Sequence, residues 1–135
     1  MALTLLQARQ VVEACIEKAK SLGVFQGIAV VDEAGNLITI DRMDGTGLLR
    51  DQFAQAKAFT AVFFRQSTRQ SAKFLEINPQ LFHGAQSVFP GRLFLVPGGF
   101  PIVMGGKVVG GLGVSGATGE QDEEVAQAGL RVLGE

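Results

Sequence analysis

One imidazole and one thiol bound what this chain can do chemically. His83 is the only histidine and Cys15 the only cysteine in 135 residues, so any imidazole-dependent step must use His83. One of each is too few for a structural zinc site, which takes four nitrogen or sulfur ligands. Nucleophilic chemistry has no local signature: Ser115 stands in Gly113-Val114-Ser115-Gly116, which is not the G-x-S-x-G elbow, and no P-loop occurs. Gly111-Leu112-Gly113-Val114-Ser115-Gly116 does match G-x-G-x-x-G. A dinucleotide site also needs a second parallel strand after the helix and an acidic residue about 20 positions on. The sequence ends at Glu135 before either, so the match is expected to be accidental. Asp122, Glu123 and Glu124 are consecutive, and helical neighbours point in different directions, which favours helix capping over a metal or acid–base cluster. Pro97-Gly98-Gly99 offers successive backbone amides that can form an anion nest, and Arg92 and Lys57 could pair with a carboxylate there. The competing reading is a tight turn with solvated charges nearby.

The elements that must position these residues follow from pattern. Thr4 and Gln7 form a capping box, and Ala8, Val11, Val12, Cys15, Ala19 and Leu22 then recur at helical spacing up to Gly23. That face makes Cys15 a buried core thiol. Residues 27–31 and 37–41 read as strands of a hairpin joined by a five-residue loop containing Gly35. Arg42 and Asp44 are expected to pin the following connection, with Met43 and Met104 used for packing. Residues 49–64 read as a helix apolar on two sides, with Arg50, Lys57, Asp51 and Gln55 on a narrow polar strip. A shorter helix is expected over 68–75, broken at Asn78-Pro79, and an irregular or short-helical loop over 80–91.

Residues 93–96, 100–104 and 107–114 read as three strands, with a two-residue turn at Gly105-Gly106. The last strand carries Val108, Gly110, Leu112 and Val114 on one face and Val109, Gly111, Gly113 and Ser115 on the other, which is nearly flat. Thr118 and Gln121 cap a final helix whose core face is Val125, Ala128, Gly129, Val132 and Leu133. The order is α+β: five mostly antiparallel strands flanked by helices, in a single domain covering 1–135. The flat glycine face suits close packing by a helix, the final one being expected, or by another subunit; the alternative is that Gly111 and Gly113 line a ligand pocket. With the two-sided helix, the flat face predicts at least a dimer.

Hydrophobic residues make up 47% of the chain, with ten Phe and no Trp or Tyr; the formal charge is −1, from 12 basic and 13 acidic residues. Mixed charge argues against nucleic acid or an anionic membrane as the main partner. No run approaches the ~20 apolar residues of a membrane span. The N-terminus has no basic region before an apolar run, so no signal peptide is expected, and the single cysteine suits a reducing cytoplasm.

Several motifs together resemble the GlcG/HbpS family, to which the C-terminal domain of the PduO cobalamin adenosyltransferases also belongs. They are Leu3-Thr4-Leu5, Ala29-Val30-Val31-Asp32 with Gly35-Asn36-Leu37, Arg42-Met43-Asp44-Gly45, and Ala56-Lys57-Ala58 with Thr60-Ala61. Pro97-Gly98-Gly99 with Pro101-Ile102, the run Val109 to Gly116, and Gln121-Asp122-Glu123 complete the set. The resemblance implies a profilin-like fold, assembly as dimers or larger oligomers, and haem binding in some members. Other members lie in glycolate, diol or glycerol utilisation loci. The adenosyltransferase chemistry of PduO resides in its other domain and is not carried over.

On this resemblance the expected ligand is haem or a related tetrapyrrole, bound without catalysis. His83 would present a neutral ring nitrogen to iron, with Phe82 or Phe89 against the porphyrin. Arg92, Lys57 and the Gly98 and Gly99 amides would face the propionates. The alternative for His83 is an ordinary loop histidine. A different function, as an accessory enzyme or small-carboxylate binder of a catabolic pathway, would use a pocket around the PGG turn. A third would make the chain a structural assembly subunit.

Overall fold

The first helix, α1 (Leu5–Leu22), begins where the sequence places its cap. The Thr4 hydroxyl accepts the Gln7 N–H at 3.1 Å, and the Gln7 carboxamide accepts the Thr4 N–H at 3.0 Å. The computed structural model describes residues 2–134. After α1 come β1 (Gly27–Asp32), β2 (Leu37–Arg42), α2 (Arg50–Phe64), α3 (Thr68–Ile77) and α4 (Pro79–Val88). Then follow β3 (Gly99–Met104), β4 (Lys107–Ser115) and α5 (Gly119–Arg131). The β2–α2 connection is pinned by Arg42, which donates to the Thr46 carbonyl, and by the Thr46 hydroxyl, which donates to the Met43 carbonyl at 2.6 Å. Asp44, expected to share this role, makes no side-chain hydrogen bond among the described residues, and Met43 packs with its sulfur accepting the Gln26 N–H at 3.4 Å. None of the described helices is long and apolar enough to cross a membrane.

The sheet has four antiparallel strands in the order β2-β1-β4-β3, not five. The missing strand is 93–96, whose backbone groups are taken by side chains instead of a ladder. Thr60 Oγ1 accepts the Phe94 N–H at 2.8 Å, and the Gln86 amide donates to the Leu93 carbonyl at 3.3 Å. The Phe94 ring stacks on Phe53 of α2, with centroids 5.0 Å apart. That stretch runs over the outer side of α2.

Helices cover both faces of the sheet. Ile28 and Val30 of β1 and Leu112 and Val114 of β4 join Val11, Val12, Cys15 and Val125 in one core beneath α1 and α5. Val109 joins this core too, against the simple alternation expected for β4. Ile102 pairs with Gly110 but Val103 pairs with Val108, so a bulge at Val109 turns it to that face. The opposite face, with Val31, meets Ala58 and Val62 of α2.

The flat glycine face is covered by α2, not by the final helix. A Cβ at Gly113 would run into the Ala54 carbonyl oxygen and stand 2.7 Å from the Ala58 nitrogen. Only a bare backbone lets α2 lie this close. The final helix uses its own small residue elsewhere: Gly129 faces Cys15 and Val11 of α1. Its buried positions are Asp122, Val125, Ala126 and Gly129, while Val132, just past its end, is exposed. Burial pushes the Cys15 thiol up to about 12, partly offset by its hydrogen bond with the Gly129 backbone. It is an inert core thiol, as expected.

Candidate functional site

The side of α2 away from the sheet carries bulky side chains. Phe59 and Phe63 lie one turn apart, ring centroids 6.4 Å from each other, and Phe89, just past α4, meets them at 6.0 and 5.8 Å. These tilted and offset rings are the geometry phenyl groups prefer. They wall a cleft of about 330 Å³ with Val62, Ala34 and Gly35 of the β1–β2 turn, and with Glu33, Arg65 and Arg92 at its polar edge. An adjoining hollow of about 280 Å³ shares Gly35, Phe59 and Arg92 and continues past Gln52, Gln55 and Pro90. The Arg92 guanidinium rests 5.0 Å from the Phe59 ring centroid. Neither Arg65 nor Arg92 has an acidic partner among the described residues. An apolar wall bordered by two unpaired guanidinium groups suits a flat aromatic molecule bearing carboxylates.

A larger, wide-open hollow of about 620 Å³ lies on the outer face of α1, beside Leu6, Ala14 and Val132. Its charged lining is Arg9 with Glu13 and Glu17. Two carboxylates against one guanidinium make it a poorer place for an anion.

Lys57 does not lie on a solvated polar strip. It projects from α2 into the interior at 1% exposure, and its ammonium donates to Asp122 Oδ2 at 3.1 Å and to the Val114 carbonyl at 2.8 Å. Asp122 Oδ1 accepts the Ala117 N–H at 3.0 Å, which ties the start of α5 to the end of β4. Burial drives the Lys57 pKa down and the Asp122 pKa up, and each is partly restored by the other's charge. Gly98, at φ 129, leaves room for this pair: a Cβ there would come 2.9 Å from the Lys57 nitrogen and 3.1 Å from Asp122 Cβ. Thr68 takes the Gly99 N–H at 3.0 Å. The Pro97-Gly98-Gly99 turn is therefore a buried joint rather than an open anion nest. Both glycines are buried, and the pocket expected around them is filled by Lys57 and Thr68.

The six residues expected to hold the ligand are thus divided. Arg92 borders the phenyl cleft, whereas Lys57, Gly98 and Gly99 meet in the interior. His83 and Phe82 sit on α4 with ring centroids 5.6 Å apart, His83 exposed and Phe82 half-buried, and neither lines the cleft. Asp122, Glu123 and Glu124 do diverge as expected. Asp122 meets Lys57, Glu123 binds Arg69 Nε at 2.9 Å, and Glu124 meets Lys18 at 3.2 Å. No cluster of three metal-ligating side chains occurs among the described residues. Sequence reasoning misses Phe59, Phe63 and Arg65 as site residues. The i, i+4 phenyl pair on α2 is a signal for the first two, but in a sequence it reads as core.

Comparison with known proteins places this geometry in context. The family model described as Haem degrading protein HbpS-like matches residues 3–131. A 15.0 kDa protein of the dhaT–dhaS intergenic region of Citrobacter freundii is 33% identical over 98% of this chain and 93% of its own length. The corrinoid adenosyltransferase PduO of Salmonella typhimurium is 29% identical over 98% of this chain, which spans 39% of that relative. Among solved structures, a double mutant of Streptomyces reticuli HbpS superposes with a TM-score of 0.90 at 38% identity, covering 100% of this chain and 89% of that one. A PduOC:haem complex gives 0.86 at 30% identity, covering 97% and 94%.

Proposed function

The chain belongs to the HbpS-like family, and on that premise we propose that it binds haem or a related tetrapyrrole in the cleft of Phe59, Phe63 and Phe89. The observation that carries this reading is the phenyl wall with two unpaired arginines at its edge. The PduOC relative, solved in complex with haem, supports it. The residues present fit the organic part of the group: the phenyl rings and Val62 take the macrocycle, and Arg65 and Arg92 take its carboxylates. Iron, when bound, brings redox and axial-ligand chemistry. His83, the only imidazole, stands on the helix whose end delivers Phe89 but outside the cleft lining, so its service as a nitrogen ligand is the part of the proposal that the titration must decide. We read the role as binding rather than turnover.

Haemin titration followed by the Soret band tests the reading. Saturable binding to the parent protein, with a shifted maximum and weaker binding in His83→Ala, is the expected result. Tight binding with an identical spectrum in the variant would remove His83 as the ligand. No saturable Soret change in the parent would remove haem.

The expected homo-oligomer stays part of the proposal. The α3–α4 pair exposes Phe74, Leu75, Ile77, Leu81 and Val88, with Ile77 81% accessible. Apolar surface of this extent is usually covered by a partner. Light scattering should give a dimer or larger, and a 14.3 kDa species alone would contradict it.

A further inference from the structure

Arg65 occupies a backbone position where arginine is a poor residue for stability. It ends α2 at φ 57 and ψ 35, left-handed geometry in which a Cβ is crowded and which helices usually fill with glycine. The capping hydrogen bonds run from its backbone N–H to the Ala61 and Val62 carbonyls, and glycine would make them equally well. A cation is favoured at a helix C-terminus, but a lysine or arginine one turn earlier would supply that charge without the left-handed backbone. The side chain forms no ion pair among the described residues, whereas Arg69, four residues on, is held by Glu123. It borders the phenyl cleft, whose one acid is Glu33, together with Arg92, the second unpaired cation there, and also a hollow on its other side that holds Arg69 and Glu123. A strained residue kept beside a cleft points to use there.

Resting on the haem reading above, we propose that Arg65 and Arg92 form a carboxylate-reading pair. The ligand class is then a planar aromatic molecule with two carboxylates, and the pair selects for those acids. The phenyl groups accept any flat macrocycle, so they cannot discriminate between acid and ester. The two guanidinium groups can, because each makes a charge-assisted pair that an ester cannot replace. Arg92 gives up only a weak exposed cation–π contact with Phe59 on turning to the ligand. Glu33 on the same edge disfavours further anionic substituents.

Three probes separate the possibilities: haemin, metal-free protoporphyrin and protoporphyrin dimethyl ester. Each is titrated by its porphyrin absorbance into the parent, Arg65→Gly and Arg92→Ala proteins, with thermal melts alongside. Metal-free protoporphyrin, which lacks only the bond to iron, should still bind, and the ester should bind about tenfold more weakly than haemin or worse. Arg65→Gly should raise the melting temperature yet weaken both diacids by about tenfold, leaving the ester unchanged. Arg92→Ala should weaken the same two probes. If haemin binds but the ester matches it, the pair does not read carboxylates. The pair is equally overturned if metal-free protoporphyrin fails to bind, or if Arg65→Gly loses stability and keeps affinity. In each of those cases the haem reading stands. Failure of all three probes overturns the haem reading itself, and the pair with it.

Discussion

Replacing Lys57 with methionine removes the ammonium and keeps most of the side-chain volume. Asp122, 4% exposed, is then left in the interior with no counter-charge. Removing one partner of such a pair costs about 3–5 kcal/mol, because the remaining charge stays buried. The cost must also depend on pH, with a sign that can be worked out. Burial already raises the Asp122 pKa above 3.8, and the Lys57 charge is the largest influence holding it down. In Lys57→Met the folded pKa climbs further. Between 3.8 and that value the folded state binds more protons than the unfolded one, so the variant's stability falls as pH rises. The slope reaches about 1.4 kcal/mol per unit. Its deficit should be small near about pH 4 and largest at neutrality.

Asp122→Asn should show the opposite slope. The Lys57 pKa, already lowered from 10.5 by burial, drops further without Asp122. The unfolded state then binds more protons over the window up to 10.5, so this variant regains stability as pH rises. The double variant Lys57→Met/Asp122→Asn should be nearly flat in pH and lose at least about 2 kcal/mol less than the sum of the singles. The chain has no Trp or Tyr, so urea unfolding is best followed by far-UV circular dichroism. Two mild, pH-independent single variants that add within about 0.5 kcal/mol would refute the reasoning.

Gly113→Ala places a methyl against the Ala54 carbonyl and should cost about 3 kcal/mol or more, measured by denaturant midpoint. A near-neutral change would mean that α2 does not lie against β4 so closely. Gly129→Ala should also destabilise, since its methyl would collide with the Cys15 sulfur, and Cys15→Ala should recover part of the loss in a double-variant cycle. Simple additivity there would deny the contact. With its pKa near 12 and no exposure, the native Cys15 thiol should resist alkylation at about pH 8 until denaturant is added. Prompt modification of the folded protein would contradict its burial.

Much of the fold is legible in the sequence because its signals are local. Thr4 with Gln7 and Thr118 with Gln121 both form the capping boxes their spacing specifies, and the hairpin and four of the strands fall where β-rich runs occur. Residues 93–96 pass for a further strand because a β-rich run says nothing about who takes its hydrogen bonds; Thr60 and Gln86 do. Likewise the bulge at Val109 depends on register with β3 and leaves no trace in alternation. Lys57 reads as solvated because charge type outweighs position in a single sequence. Its partner is 65 residues away.

The buried joint explains why the family is easier to recognise than its site. Ala56-Lys57-Ala58, Pro97-Gly98-Gly99, the run through Val114 and Gln121-Asp122-Glu123 carry the resemblance, and they converge on the Lys57–Asp122 pair. Those motifs describe how the helices are locked to the sheet. The cleft shares only Gly35 with the resemblance motifs and otherwise draws on different residues. Arg65 carries no sequence signal, since only the left-handed turn at the end of α2 marks it out.

Where the ligand sits is tested most directly by ring-current shifts. Methyl resonances would be recorded as zinc protoporphyrin, a diamagnetic haem analogue, is added to the full chain. The largest shifts are expected at Ala34 and Val62, which line the cleft. Shifts concentrated instead on Leu6, Ala14 and Val132, with Ala34 and Val62 unmoved, would place the ligand on the outer face of α1 and contradict binding in the cleft.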